Sequence, residues 1–285
     1  MLIYGTTTIE AKSGYEMTFE GEIKQLEVIN TLNKLHPIDL IPTFCAQAIP
    51  PEWEGRGDEF TEEIVKKWLP EIAKRGLAEY ADVFCEVGFF NVEQTRKILT
   101  AARELGMKLR IHADWLAHSG GGELGAELGV VSADHLIHTP FEVIDRLAAK
   151  GVIGVLLPTT PFCYLGKYAN AREIIKRGLP VALGTDLSAI NMSESMQMMM
   201  TIAALQMKMT PAEVFTAATI NAAHSLNRAH EIGSIEEGKK ADIIILDMPN
   251  HRFIPFHYGV NLVEMVFKNG KLVVERGRIL PEYRC

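Results

Sequence analysis

Two histidines and an aspartate in this chain each follow a short apolar run, and their side chains are of the kinds that hold metal ions. His112 closes "KLRIH", His135 closes "SADH", and Asp186 follows "VALGT". Imidazole and carboxylate ligands suit Zn²⁺, with Fe or Mn as alternatives. A metal held in this way lowers the pKa of its bound water to about 7 and so makes a hydroxide nucleophile. In such a site Asp186 would bind the metal and take the proton of the water, while His135 would bind the metal or stabilise the attacked oxygen.

Each of these residues also has a purely structural interpretation. A lone histidine beside an apolar run is more often a core or surface group, but two at strand ends, next to Asp114 and Asp134, favour a functional site. Asp186 could instead cap the next helix. Glu86, which closes "DVFCE", either belongs to the site or only holds neighbouring loops. The run "SGGGEL" at 119–124 could cradle an anion at a helix start, but tight-turn geometry is favoured.

The segments that carry these residues alternate between helices and short strands. Helix patterns end in glycine and a strand follows at once, as in "ARELG" before "MKLRIH" and "IIKRG" before "LPVALGTD". Glycine closes a helix in the left-handed conformation without steric cost, and strands that are apolar on both faces are typical of parallel sheets under helices. Seven strand positions precede residue 187, which predicts an α/β fold: a (β/α)8 TIM barrel with about seven strands present.

In such a barrel the active site lies at the carboxyl ends of the strands. The polar residues that the pattern places there are Lys12 with Tyr15, Gln47, Glu86, His112, His135, Thr159 and Asp186.

Beyond Asp186 the pattern changes. A methionine-rich segment, 192–209, predicts a helix whose methionines serve mainly core packing. Thr210, Pro211 and Glu213 have the spacing of a capped helix start. The apolar runs and the "KNGK" turn that follow predict a small antiparallel β segment over Ile232–Leu280. We therefore predict a barrel domain at 1–227 and part of a small β domain at 228–285.

The composition narrows the class of protein. The 285 residues are 47% hydrophobic and 23% charged, as in a globular protein with a sizeable core. A net charge of −7 argues against a nucleic-acid partner. The four cysteines are widely spaced, which fits a reducing cytosol. Neither a signal peptide nor an apolar run of membrane-spanning length is visible in the sequence, so a cytoplasmic protein without a membrane partner is expected.

Eight stretches, taken in order, resemble the imidazolonepropionase family of the amidohydrolase superfamily: "GTTTIEAKSGY", "AIPPEW", "DVFCEVG", "IHAD", "GGELGAELG", "SADHL", "GTD" and "FIPFHYGVN". The resemblance implies a metal-dependent barrel that hydrolyses the cyclic amide C–N bond of an imidazolone in histidine degradation. It also implies one Zn or Fe ion per chain and a homodimer that contacts through barrel helices. By position, His112 and Asp186 match the family's metal ligands and His135 matches the histidine beside the catalytic water. Tyr15 matches a substrate contact.

One departure concerns the metal site. The family's first strand carries a His-x-His pair that supplies two metal ligands, and this sequence contains no such pair. Met1 aligns inside the helix before the family's second strand, so roughly the first third of a family member has no counterpart. An incomplete parallel barrel would expose open sheet edges and apolar surface. We therefore expect either a truncated product or a barrel completed by another copy or polypeptide.

Other departures concern the substrate pocket. Trp115 stands where the family has the glutamate of "HADE", and Gln47 stands where it has the histidine of "GAHA". In "TDLSAIN", Ser188, Ile190 and Asn191 stand where the family has residues that contact the propionate arm. These changes predict an altered substrate, bulkier or more apolar near Trp115 and Ile190. The alternatives are another amidohydrolase or deaminase of the superfamily, or an inactive truncated homologue that binds no metal.

Overall fold

A computed structural model describes residues 1–284 and contains the seven predicted parallel strands in one sheet, ordered as they occur in the chain. The order of these strands agrees with the α/β fold, with about seven strands present, that the sequence predicts. The strands are β1 Thr8–Lys12, β2 Asp39–Ala46, β3 Tyr80–Cys85, β4 Lys108–Ala113, β5 Ser132–His135, β6 Ile153–Leu156 and β7 Val181–Leu183.

Helices follow the strands, and several of them end in glycine as predicted. Gly106, Gly129, Gly151 and Gly178 all have positive φ angles, between 63° and 87°, because only glycine takes this conformation without strain. None of the helices in residues 1–284 is long and apolar enough to cross a bilayer. The helices are α1 Phe19–Leu35, α2 Gly57–Glu63, α3 Leu69–Arg75, α4 Val92–Glu104, α5 Gly121–Leu128, α6 Phe141–Ala149, α7 Thr159–Tyr164, α8 Ala171–Lys176, α9 Met196–Gln206, α10 Pro211–Ala218 and α11 Ile220–Ser225.

The chain divides into two compact units. The central unit comprises Glu10–Lys34 and Leu40–Val152, and the terminal unit comprises Met1–Ile9, Leu35–Asp39 and the chain from Ile153 onward. In the central unit, buried aromatic rings form part of the core. The ring centroids of Phe60 and Trp68 are 5.3 Å apart in an edge-on arrangement, and those of Phe60 and Phe90 are 6.2 Å apart in a stacked one. Such pairs add to the stabilisation that comes from burial of their apolar area.

The terminal unit contains the predicted antiparallel sheet. Its strands are β8 Ile243–Leu246, β9 Val263–Lys268, β10 Lys271–Glu275 and β11 Arg278–Ile279, in the order β11-β10-β9-β8. Asn269 and Gly270 join β9 to β10 with φ angles of 50° and 77°, the left-handed pair that a tight hairpin turn requires. The domain boundary at residue 228 stays a prediction.

The methionine-rich helix begins later than predicted. Ser195 caps α9, so Met192 lies outside the helix and is 75% exposed. Met199 and Met200 are buried, as predicted for core packing. At the start of α10 the predicted capping box is present: the Thr210 N–H donates to Glu213 Oε2 at 2.7 Å and the Glu213 N–H donates to Thr210 Oγ1 at 3.3 Å.

Candidate active site

The two strand-end histidines lie side by side in the central unit. His112 and His135 end neighbouring parallel strands, with Ala113 opposite His135 in the register. Both side chains are buried, and their ring centroids are 5.4 Å apart. The Trp115 ring stacks on His135, also at 5.4 Å and with an interplanar angle of 19°. The structure therefore brings together three of the predicted site residues.

His112 faces a buried carboxylate. Its Nδ1 atom lies 3.0 Å from Asp82 Oδ2, and the edge of its ring meets Phe84. Burial is the largest single influence and would lower the pKa of His112, but the negative charge of Asp82, its hydrogen bond to the ring and the charge of Asp134 together raise it. Burial likewise opposes ionisation of Asp82, yet His112 and the Lys12 ammonium hold the pKa of this carboxyl well below its usual range. Asp82 therefore stays charged and fixes the orientation of the His112 ring.

His135 is kept neutral. Burial and the neighbouring His112 lower its pKa to about 3. Near neutral pH the ring therefore carries a proton on only one of its two nitrogens. Within residues 1–284, its Nδ1 atom has no hydrogen-bond partner. Its φ of 74° is left-handed, as are those of Asp114 and Asp186, which also follow barrel strands. Such conformations in non-glycine residues cluster at functional sites.

Below the histidines, charged side chains of four strands form a group that we call the ion cluster. Lys12 Nζ bonds to Asp82 and lies 2.8 Å from Asp134 Oδ2. Arg110 Nε lies 2.9 Å from Glu10 Oε1. The two aspartates and Arg110 are at most 2% exposed, so their charges are stable only because they are paired. The ion cluster consists of Glu10, Lys12, Asp82, Arg110 and Asp134.

The remaining predicted residues near the chain's later strands form a loop within the terminal unit. The Thr160 hydroxyl donates to the Asp186 carboxylate. Asn191 is buried, and its side-chain amide donates to the carbonyls of Thr185 and Asp186 at 2.7 and 3.0 Å. Ser188 pairs with Asn191 through the backbone, in a segment where Ile190 is 57% exposed. Thr159 is buried and donates to the carbonyl of Thr185.

Comparison with known proteins assigns the chain to a family. Residues 57–273 match the model of the Amidohydrolase family. The chain belongs to the amidohydrolase family. It is 51% identical over 283 residues to an imidazolonepropionase of Alkaliphilus metalliredigens, covering 98% of this chain and 67% of that protein. It is 49% identical over 280 residues to an imidazolonepropionase of Geobacillus thermodenitrificans, covering 98% of this chain and 66% of that protein. This amidohydrolase thus spans about two thirds of the length of these relatives and is imidazolonepropionase-like.

A solved structure with the same fold is an adenosine deaminase from Xanthomonas campestris with bound zinc. It superposes with a TM-score of 0.74 at 20% identity and covers 98% of this chain and 68% of the deaminase. At this identity the likeness concerns the fold alone.

Glu86 holds loops of this amidohydrolase. Its Oε2 atom accepts the N–H groups of Trp115 at 2.7 Å and Leu116 at 2.9 Å, and Oε1 accepts the N–H of Val87 at 2.9 Å. The side chain is 3% exposed. Of the two interpretations of Glu86, the structure favours the loop-holding one, because both carboxylate oxygens are occupied by backbone donors. Glu86 thereby positions the loop that carries Trp115.

We expect Glu86→Gln to lower the free energy of unfolding by about 1–3 kcal/mol. The glutamine amide nitrogen would face a backbone N–H donor where a carboxylate oxygen now accepts. Urea denaturation measures the change. Glu93→Gln, at a side chain that is 78% exposed, is the control and should have little effect. Equal stabilities of Glu86→Gln and the unaltered chain would show that these three hydrogen bonds contribute little.

The glycine run at the start of α5 serves close packing. Asp114 accepts the Ser119 N–H at 2.8 Å and the Thr139 hydroxyl at 2.7 Å. A Cβ atom on Gly122 would lie 2.9 Å from Asp114 Oδ2, and one on Gly121 would lie 3.1 Å from Ala113 Cα. Gly121 and Gly122 are therefore needed because α5 approaches β4 closely. The φ of 87° at Gly120 agrees with the tight-turn interpretation of this run.

Two further predicted substrate contacts lie in the central unit. Tyr15 is 55% exposed. Its loop is held by the buried Glu22, which accepts the N–H groups of Glu16 and Met17 at 3.2 and 2.9 Å. Gln47 follows β2 directly, and its Oε1 atom accepts a hydrogen bond of 3.5 Å from the Cys45 thiol. The substrate-binding roles of Tyr15 and Gln47 stay predictions.

The sequence analysis missed the ion cluster. Its acids and bases lie inside strands, at alternate positions that share one face with the strand-end residue: Glu10 with Lys12, and Arg110 with His112. Asp82 and Asp134 also lie inside β3 and β5. The ion cluster could have been predicted from charged residues within short strands that are otherwise apolar. Such residues are buried only when their charges are paired.

Proposed function

We propose that this amidohydrolase is a metal-dependent hydrolase of a cyclic amide C–N bond, of the imidazolonepropionase type. The observation that carries the proposal is the buried pair His112 and His135 at the ends of adjacent strands, with a charged Asp82 against His112. About 50% identity to imidazolonepropionases supports the same reaction class. We further propose a small-molecule substrate and a homodimer, which the resemblance implies, and a cytoplasmic location, which the widely spaced cysteines favour.

The donors in the site fit a metal ion. His112 offers a buried imidazole beside a carboxylate, an arrangement that orients a ligand ring and raises its basicity. The family resemblance implies Asp186 as a second ligand, and His135 as either a third ligand or the histidine beside the reacting water. When bound, a Zn or Fe ion would lower the pKa of a water molecule and so supply the nucleophile.

The chain's own residues then hold the substrate and the protons. Neutral His135 can donate or accept a hydrogen bond at the reacting oxygen because its depressed pKa prevents a positive charge. Trp115 presents a half-buried aromatic face stacked on His135. A flat ring in the substrate would pack on this face, whereas a polar ring nitrogen would find no proton acceptor in the indole.

The test is the metal content and the activity of the purified 285-residue chain. Mass spectrometry is expected to find about one Zn or Fe ion per chain in a discrete oligomer. Hydrolysis of imidazolone propionate and of larger cyclic amides is followed by the loss of their ultraviolet absorbance. A chain that binds no metal and hydrolyses none of these amides would refute the proposal.

We expect Trp115→Glu to change substrate preference without changing metal content. The glutamate restores the residue type that the family has at this position and offers a carboxylate to a polar ring. The ratio of kcat/KM for imidazolone propionate to that for a bulkier cyclic amide should rise at least about tenfold. Trp115→Phe keeps the aromatic face and is the matched control. A lower metal content in Trp115→Glu, or an unchanged ratio, would show that Trp115 is not a wall of the substrate pocket.

A second candidate is a homologue that binds no metal. The residues of this sequence offer two or three of the ligands that the family resemblance implies. Three protein ligands still suffice for a catalytic zinc with water in the fourth position. The metal analysis above separates the two candidates.

A further inference from the structure

We propose that Cys45 and Asp82 join His112 as direct ligands of a divalent cation, in a sulfur, oxygen and nitrogen site of the zinc class. The inference rests on the proposed function only in taking His112 as a metal ligand. It differs in the other two donors, Cys45 and Asp82, which lie in the central unit and inside strands.

The three side chains converge. The Cys45 sulfur, a carboxylate oxygen of Asp82 and a ring nitrogen of His112 all lie within 4.8 Å of one another. The strand register accounts for this, because Cys45 lies opposite Asp82 in the β2–β3 pair and His112 lies opposite Phe84, two residues further along β3. All three side chains are buried, at 2%, 0% and 7% exposure. A metal site of the zinc type needs donors held at such short separations.

Asp82 has an oxygen available for a cation. Its Oδ2 atom already meets Lys12 and His112, but Oδ1 has no hydrogen-bond partner in residues 1–284 although it is fully buried. A buried acceptor that lacks a donor destabilises the folded chain. The Cys45 thiol meets only a long contact to Gln47 at 3.5 Å among the hydrogen bonds of the described chain. Asp82 Oδ1 and the Cys45 sulfur are therefore available to bind a metal ion.

The charges around the site favour a divalent cation. The ion cluster contains three carboxylates against one ammonium and one guanidinium. One of its carboxylates therefore has no cation within the cluster itself. A metal ion bound beside Asp82 would supply the positive charge that pairs with it, as buried charges require.

The donor types select the metal. Thiolate and imidazole ligands suit Zn²⁺ and Co²⁺, whereas Mg²⁺ and Ca²⁺ prefer oxygen ligands. On binding, the thiol proton of Cys45 leaves to solvent and the sulfur forms the bond to the metal. Three protein ligands leave the fourth position of a tetrahedral zinc for water. The site thus needs no His-x-His pair.

The experiment loads the full chain with Co²⁺, which accepts the same ligands as zinc and reports on sulfur ligation by a thiolate-to-cobalt charge-transfer absorption. We expect this band in the unaltered chain. Cys45→Ser should abolish the band and weaken Co²⁺ binding by more than the roughly tenfold that even an outer-sphere partner can cost. Cys85→Ser, at a second buried thiol, and Cys163→Ser, at an exposed one, are the matched controls and should keep the band.

The possible outcomes separate this inference from the proposed function. Bound Co²⁺ without a charge-transfer band, or a band that survives Cys45→Ser, overturns the inference and leaves the proposed function standing. A band that depends on Cys45, in a chain that hydrolyses no cyclic amide, supports the inference and counts against the proposed function. A chain that binds no Co²⁺ overturns both. The absence of the band in the unaltered chain overturns the inference even where a variant folds poorly.

Discussion

Replacement of His112 by alanine is expected to abolish metal binding by the chain. His112 is the one residue that is common to the ligand set implied by the family resemblance and to the cluster with Cys45 and Asp82. Loss of a direct ligand should weaken binding by more than the roughly 100-fold that loss of an outer-sphere partner costs. Equilibrium dialysis against Zn²⁺ with mass-spectrometric detection measures the affinity, and circular dichroism checks that the variant is folded.

His118→Ala provides the control. His118 is exposed and lies 2.8 Å from Glu123, so its removal should leave the metal content unchanged. Full metal occupancy in a folded His112→Ala variant would place the metal elsewhere and would refute the site assignment. Equal losses in both variants would indicate non-specific binding by histidine side chains.

The positions of the strands and of their terminal polar residues were predictable from the sequence. Glycine at the helix ends and apolar runs without alternation identify buried parallel strands, and the residue that closes each run then lies at one rim. His112 and His135 were found in this way, and so was Glu86. The Asn-Gly hairpin and the Thr210 capping box were predictable because both depend on residues within four positions of one another.

The partners of these residues were not predictable, because they depend on register between strands that are distant in sequence. Lys12 meets Asp82 and Asp134 across 70 and 122 positions. No local pattern specifies such a contact. The role of Glu86 was undecided for the same reason: the N–H groups that it accepts belong to a loop 29 and 30 residues further along. The start of α9 was placed too early because the methionine-rich pattern extends back to Met192, whereas Ser195 accepts the Met198 N–H and caps the helix.

The second large expected effect concerns Lys12, which the sequence places among the rim residues and the structure places in the ion cluster. We expect Lys12→Met to lower the free energy of unfolding by about 3 kcal/mol. The methionine retains most of the volume but leaves Asp82 and Asp134, at 0% and 2% exposure, without their shared cation. This expected loss of stability is at the lower end of the range for a broken buried ion pair, because the Lys12 side chain is itself 22% exposed.

Urea denaturation of Lys12→Met and of the unaltered chain measures this loss. The dependence of the free energy of unfolding on urea concentration is compared between the two. Lys66→Met is the control, because the Lys66–Glu62 pair of 2.8 Å lies at an exposed helix surface where ion pairs contribute little. A second substitution, Asp82→Asn, made in the Lys12→Met chain, should recover part of the lost stability because it removes an uncompensated buried charge. A failure to recover any would attribute the loss to packing around residue 12 instead.

Lys12 also links stability to metal binding. Its ammonium and a bound cation would both draw on the Asp82 carboxylate, so the two compete for the same negative charge. Lys12→Met should therefore be less destabilised in the presence of Zn²⁺ than in its absence, since a ligand that binds only the folded state stabilises it. If Zn²⁺ stabilised Lys12→Met no more than it stabilises the unaltered chain, Asp82 would act as the ion partner of Lys12 and His112 alone, and the metal would take its ligands from the strand-end residues.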